Sequence, residues 1–341
     1  MLMQLRDRDS VVLHSGVIMR VLGYTHPSSG WICEPEYTPP SVFKSRNPRA
    51  PRGYPKTVYY KLYGSEPMEL IEMHPELTVV HPHLNTRVPG APAHLVKEAR
   101  RPEEGLRAAL SREEDELTRE LRRIVELIED HTQVSIGSLG VFGSIQHGFH
   151  HPKLSDIDLT VIGLRNAREL AEFLEEAYRD PGIQLEQEYR AWLHYHASKP
   201  FWSTFLTPGE HLWHQLRKPY YAVYTSWREI KVEFHPVKGW SEVRGEPLTI
   251  RRVGEAKAKL EVIDDTESIY IPSVWLVEPV EGPPVERVVS YIEDFKMQAK
   301  AGETIIAAGV LEEVKSPARS YLQITVTQNP RLHAHGIKVA R

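Results

Sequence analysis

Short apolar runs interrupted by glycine and proline fill the first sixty positions. SVVLHSGVIMRVLGY (Ser10–Tyr24) is β-branched and broken at Gly16 and Gly23, which predicts strand, turn, strand. WICEPEYTP from Trp31 and TVYYKLYG from Thr57 predict two more strands. Between them, SVFKSRNPRAPRGYPK places Lys44, Arg46, Arg49, Arg52 and Lys56 among prolines and glycine, an extended positive loop with neither helical nor strand period. It reads either as solvated surface or as an arm for a phosphate-bearing acceptor. The turn-rich stretch from His81 to Gly105 predicts a linker.

From Ser111 the period lengthens. Leu117, Leu121, Ile124, Val125 and Ile128 recur at helical spacing, with Ser111 as the expected N-cap and Glu114 three residues on. The glutamates and arginines of this helix read as its solvated face. VSIGSLGVFGS follows, then the alternating SDIDLTVIG from Ser155 and a second amphipathic helix from Leu164. YYAVYT and EIKVEFHPV are strand-like, so the middle of the chain is α/β or α+β. Beyond Asp264, SIYIPSVWLVE, VERVVSYIEDF, AGETIIAAGVLEEV and SYLQITVTQ predict a small barrel or sandwich. The expected domains are 1–100 (β-rich), 101–262 (mixed core) and 263–341 (β), a mixed α+β protein.

Composition narrows the function. With 341 residues, 41% apolar and 26% charged, the bulk of the chain has the material for packed cores rather than disorder. A net charge of −4 excludes a global basic field, so any nucleic-acid role must rest on a local patch. The single cysteine, Cys33, excludes a disulfide framework and a multi-cysteine metal site. No apolar run approaches 18 residues and the charged start MLMQLRDRDS is no signal peptide, so the expectation is a cytoplasmic protein without a membrane partner. Walker A, G-x-G-x-x-G and G-x-S-x-G motifs are all missing. Nothing in the sequence sets the oligomeric state.

The chemistry concentrates in GVFGSIQHGFHHPKLSDIDLTVIG, Gly140 to Gly163. On a strand, Asp156 and Asp158 project to one face while Ile157 and Leu159 project to the other. Two such carboxylates repel unless a cation neutralises them, and magnesium takes one or two carboxylates together with phosphate oxygens. Upstream, Gly143-Ser144 follows an apolar run; glycine lets amides approach an anion, and a helix opening there adds its dipole. The plainer reading is a surface turn with two incidental acids.

Gly143, Ser144, Asp156 and Asp158, with Ser155 before the first acid, resemble the nucleotidyltransferase superfamily typified by DNA polymerase β. More closely, the run is similar to archaeal predicted nucleotidyltransferases with extra β-rich flanking regions. The resemblance covers residues 137–163 and weakens toward 237. It implies a polymerase-β-like core between β-rich flanks, and a third carboxylate on a later strand; Glu233, between Val232 and Phe234, takes that place ahead of Glu229. It also implies two ions, Mg2+ or Mn2+, held by Asp156, Asp158 and Glu233, and a nucleoside triphosphate substrate whose nucleotidyl group passes to a hydroxyl acceptor with release of pyrophosphate. Gly143 and Ser144 would orient the phosphates, and Arg217 and Lys218 would add positive charge or else form an ordinary surface pair. RNA or another polyanion is the acceptor to expect if the N-terminal loop binds phosphate. The rival reading is a non-catalytic nucleotide- or RNA-binding protein on the same core; a third is an interaction protein using only its β domains.

Histidines complicate the picture. His147, His150 and His151 cluster between the two motif halves, and His211 and His214 sit in EHLWH. A zinc site is conceivable, but structural roles fit better because the acids already supply a metal site. EHLWH lacks the metalloprotease order. The many Trp and Tyr of WLHYHASKPFWSTFL and RKPYYAVYTSW read as core packing, with base stacking as the alternative.

Overall fold

The computed structural model describes every residue except 1, 54, 113–114, 199–202, 246–247 and 328–333. By its internal contacts the chain divides into two compact units, residues 1–185 with 224–243, and residues 186–223 with 244–341.

The first unit begins with strands β1 (Ser10–Leu13), β2 (Ile18–Val21) and β3 (Gly30–Thr38), the strand-turn-strand and WICEPEYT segments of the sequence. β4 (Pro51–Arg52), β5 (Tyr59–Lys61), helix α1 (Glu66–Met73), β6 (Thr78–Val80), β7 (Arg87–Pro92) and β8 (Val96–Arg100) complete an eight-stranded sheet. Its main path runs β4-β5-β3-β2-β1-β8, and β7 joins β6 to β3. Val11, Met19, Trp31, Cys33 and Leu70 form its core.

Two expectations change here. The stretch from residue 81 is no free linker: β7 pairs with β3 and β8 pairs with β1, Ser10 opposite Arg100. Leu95, Val96 and Ala99 pack against the sheet's core, and that burial outweighs the turn-forming composition. The basic loop is likewise tied down. Glu66 accepts from the Ser45 hydroxyl and from the amides of Arg46 and Tyr63, and Arg46 pairs with Glu69 at 2.7 Å.

Helix α2 (Pro102–Ser111) and helix α3 (Glu116–His131) follow. Ser111 therefore ends a helix rather than capping one. Asp115 is the N-cap: its carboxylate accepts from the amides of Leu117 and Thr118, and the Thr118 hydroxyl accepts from the Asp115 amide. Glu114, the expected partner of Ser111, lies outside the described residues. The apolar set Leu117, Leu121, Ile124, Val125 and Ile128 is buried as its spacing predicts.

Strand β9 (Leu139–Val141), the five-residue helix α4 (Gly143–His147), β10 (Ile157–Ile162) and helix α5 (Leu164–Ala177) come next. The chain then leaves through β11 (Leu185–Gln187), helices α6 (Glu188–Ala191), α7 (Leu193–Ser198) and α8 (Pro208–Gln215), and β12 (Tyr221–Thr225), returning as β13 (Glu229–Val237). β10 lies between β9, to which it is antiparallel, and β13, to which it is parallel.

Both the N-terminal sheet and this helix–strand region belong to the first unit, and buried polar contacts explain why. The Ser10 hydroxyl donates to Gln146 Oε1 at 3.1 Å, Arg6 pairs with Glu103 at 2.5 Å, and Tyr37 meets Phe149 edge to face at 5.0 Å.

The second unit carries β14 (Thr249–Asp264), β15 (Ser273–Glu281), β16 (Val285–Ser290), β17 (Thr304–Lys315), β18 (Ser320–Val326) and β19 (Gly336–Val339). The order β14-β15-β16-β18-β17 closes on itself because β14 also pairs with β17, and β19 pairs with β17 at 305–308, next to the 310–315 stretch that pairs with β18. The tail thus forms a small closed barrel, with Trp275, Phe295, Val288 and Ile324 inside.

Candidate active site

The alternation read in SDIDLTVIG is realised. Ile157 and Leu159 are fully buried on one face of β10, leaving Asp158 half-buried on the other, and Asp156 sits exposed just before the strand. On β13, Val232 and Phe234 are fully buried and Glu233 faces the other way. The parallel register sets Asp158 directly opposite Glu233, and Thr160 opposite His235. One oxygen each from Asp158 and Glu233 and a ring nitrogen of His235 lie within 4.8 Å of one another, a potential metal-holding group among the described residues.

The glycine motif reaches the same place. Gly143 adopts φ +68°, and a Cβ built there would fall 3.0 Å from Asp158 Oδ2 and 3.5 Å from Tyr37 Oη. Only a residue without a side chain allows backbone and carboxylate to come this close. The Phe142 amide donates to the Asp158 carbonyl at 3.0 Å, fixing the turn to β10. The buried Ser144 hydroxyl donates to Ser155 Oγ at 3.4 Å, and Ser155 Oγ accepts from the His151 amide. Gly143, Ser144, Asp158 and Glu233 are therefore brought together, with Asp156 at the edge.

The electrostatics record crowding. Burial, then the charge of Glu233, with Asp156 adding to it, pushes the Asp158 carboxyl up to about 7, against the opposing Lys61 and Lys231. Asp156, exposed as a residue but with its carboxyl crowded by surrounding protein, is raised too, by desolvation first and then Glu233, while Lys231, Lys61 and Arg228 resist. Lys231 Nζ lies 2.5 Å from Glu233 Oε1, and His235 Nε2 lies 3.3 Å from Glu233 Oε2. Arg228 donates to the Ser155 carbonyl at 2.6 Å beside Asp156 in sequence. Clustered carboxylates at one point, ringed by basic groups, suit a hard divalent cation and the phosphates it would carry.

The remaining predicted residues are committed elsewhere. Arg217 pairs with Glu303 at 2.6 Å and lies over the Trp213 ring, within the second unit. Lys218, also there, is buried and donates to the Asp294 carbonyl and to Gln298 Oε1, with burial lowering its pKa to about 7. The spacer histidines disperse. His147 contacts Arg100 and stacks on Phe149, its pKa lowered to about 4 by burial; His150 contacts Asp115; His151 Nδ1 accepts from the Lys153 amide. His214 is buried against Trp213.

Sequence reasoning missed Lys61 and His235, and placed Lys231 on the face of Glu233 without giving it a role. His235 is found by extending the same strand alternation one step past Glu233. Lys61 comes from the N-terminal sheet and leaves no local signal. An open cleft of about 650 Å³ on the same unit is lined by Arg119, Arg123, Lys153 and Trp227, among others.

Residues 119–201 match the family model of the nucleotidyltransferase domain. That stretch contains Gly143, Ser144, Asp156 and Asp158; Glu233 lies beyond it. Uncharacterized protein MJ1086 of Methanocaldococcus jannaschii is similar at 26% identity over 229 residues, 66% of this chain. The chain spans 65% of that relative's length. No solved structure matches. Residues 119–201 are thus similar to a nucleotidyltransferase domain, and among the described residues no helix is long and apolar enough to cross a membrane.

Proposed function

We propose that this protein transfers a nucleotidyl group from a nucleoside triphosphate to a hydroxyl acceptor, releasing pyrophosphate, with Asp156, Asp158 and Glu233 holding two divalent ions, Mg2+ or Mn2+. The observation that carries this reading is the register of β10 and β13, which opposes Asp158 and Glu233 at the strand edge where Gly143 approaches Asp158 Oδ2. Bound there, the ions would offset charge on the α-phosphate and the leaving pyrophosphate and make the attacking hydroxyl more acidic.

The chain's own groups divide the remaining work. Ser144 and the amides around Gly143 orient the β and γ phosphates. Glu233 accepts the proton of the attacking hydroxyl, as a carboxylate beside the reacting centre is suited to do. Lys61, whose charge acts on both Asp156 and Asp158, compensates the triphosphate from the N-terminal sheet. The acceptor is RNA or another polyanion held by the basic loop around Lys44, Arg49 and Lys56, three exposed cations in a chain of net charge −4.

The test is incubation of the purified protein with each labelled triphosphate, Mg2+ or Mn2+, and total RNA or protein extract. Label should enter a macromolecular acceptor with the wild type and not with Asp156→Ala/Asp158→Ala. Metal-dependent triphosphate binding without transfer to any acceptor would instead favour a nucleotide-binding module on the same core.

A further inference from the structure

We propose that His235 is a metal ligand, its Nε2 joining the carboxylates of Asp158 and Glu233 on one ion and giving that ion's site a preference for Mn2+ and Co2+ over Mg2+. The inference rests on the reading of Asp158 and Glu233 as ligands and adds a residue and a selectivity to it.

Strand geometry delivers the imidazole. Lys231, Glu233 and His235 alternate along β13 and share the sheet face that carries Asp158, with Glu233 opposing Asp158 and His235 opposing Thr160. Ligands about 2.1 Å from an ion sit about 3 Å apart when adjacent and about 4.2 Å apart when opposite. His235 Nε2 is 3.3 Å from Glu233 Oε2, the spacing of adjacent ligands, and the three ligand atoms all fall within 4.8 Å of one another. Where a pair stands near the 4.8 Å limit, its side chains must draw together to about 4.2 Å or less to hold one ion.

The ring is also preset. His235 is 2% exposed, and Phe142 packs against it edge to face at 4.9 Å with an interplanar angle of 84°. Arg8 lies over the Phe142 ring at 5.3 Å and backs that contact. An imidazole fixed in this way loses little freedom on ligation. Lys231 occupies the other oxygen of Glu233, at 2.5 Å, which leaves Oε2 turned toward His235.

The chemical consequence is selectivity. Magnesium takes oxygen ligands almost to the exclusion of nitrogen, whereas imidazole binds first-row transition ions more strongly along the Irving–Williams order. Two carboxylates alone suit Mg2+ and Mn2+ alike; adding an imidazole moves the balance toward Mn2+ and Co2+.

Pulsed electron paramagnetic resonance on metal-stripped full-length protein loaded with Mn2+ tests this directly. The wild type should show ¹⁴N coupling from a bound imidazole, replaced by ¹⁵N coupling when the protein is grown with ¹⁵N-histidine. In His235→Gln the coupling should vanish, Mn2+ affinity should fall about tenfold, and Mg2+ affinity should move less than twofold, measured by calorimetry. Mn2+ bound without nitrogen coupling in the wild type, or a Mn2+/Mg2+ affinity ratio unchanged in His235→Gln, would overturn the proposal and leave His235 as a positioning residue for Glu233. Mn2+ affinity unaltered in Asp158→Asn would overturn the carboxylate reading beneath it. The wild-type spectrum needs no variant to fold, so the answer does not depend on how well His235→Gln tolerates the substitution.

Discussion

A methyl group on Gly143 would lie 3.0 Å from Oδ2 of Asp158. The backbone of the glycine motif and the carboxylate of the acidic motif touch, although fourteen positions of sequence separate them. Gly143→Ala therefore has two effects. A left-handed φ of +68° costs an alanine about 1–2 kcal/mol, and the added methyl pushes the Asp158 carboxylate from its place. Urea unfolding should show a loss of that size, and calorimetry should show metal-dependent triphosphate binding weakened at least ~10-fold, a change of about 1.4 kcal/mol. Unchanged affinity in a folded variant would remove Gly143 from the site.

Removing the acid pair should separate function from stability. In Asp156→Ala/Asp158→Ala, Mg2+-dependent triphosphate binding is expected to disappear. The metal-free fold should persist or gain slightly, because Asp158 is raised by burial, by Glu233 and by Asp156, and all three penalties on its ionised form vanish with it. Thermal unfolding without metal, set beside calorimetric titration with Mg2+ and triphosphate, reads both halves. Equal Mg2+-dependent affinity in wild type and variant would sink the site assignment.

Much of this site is legible in the sequence because it is local. Asp156 and Asp158 are two apart, so the alternation of Ile157 and Leu159 alone fixes their common face, and Val232 and Phe234 do the same for Glu233. What the sequence does not carry is which strands become neighbours. The pairing of β10 with β13 joins positions about seventy-five apart, and it is this that sets Glu233 and His235 beside Asp158. The same limit hid β8. Residues 96–100 look like linker until β1 supplies their partner, and composition holds no trace of that partner. Helix ends failed for a different reason. Ser111 and Asp115 are both good caps, and the reciprocal bonds of Asp115 with Thr118 decide between them.

Lys218 makes a prediction about pH. It is buried, and desolvation lowers its pKa from 10.5 to about 7. Between those values the unfolded chain binds a proton that the folded chain does not, so stability rises as pH increases from about 7 toward 10 and the full penalty is present below 7. The steepest contribution from one such group is about 1.4 kcal/mol per pH unit. Lys218→Met removes the titration, so wild-type stability minus that of the variant should rise across this window. Parallel curves from pH 7 to 10 would mean that Lys218 stays charged in the fold.

The basic loop yields a prediction that the structure sharpens. Five cations occupy residues 44–56, but they are not equivalent. Arg46 pairs with Glu69, and Arg52 donates to the carbonyls of Arg49, Ala50 and Pro51 and to the Tyr63 hydroxyl. Those two hold the loop's shape. Lys44, Arg49 and Lys56 are exposed, and among the described residues their charged groups have no ion-pair partner. If the loop grips a polyanionic acceptor, these three make the phosphate contacts. Each contact on a single strand contributes about 0.7 to the slope of log affinity against log salt, so Lys44→Gln/Arg49→Gln/Lys56→Gln should flatten that slope by about 2. Arg46→Gln should leave the slope nearly unaltered and barely change stability, because its ion pair is exposed and screened by water. Filter binding of labelled RNA from 50 to 300 mM salt (on the order of the range over which such slopes are read) separates the two classes. A slope insensitive to the triple substitution would make the loop plain solvated surface and direct the search for the acceptor to small molecules or proteins.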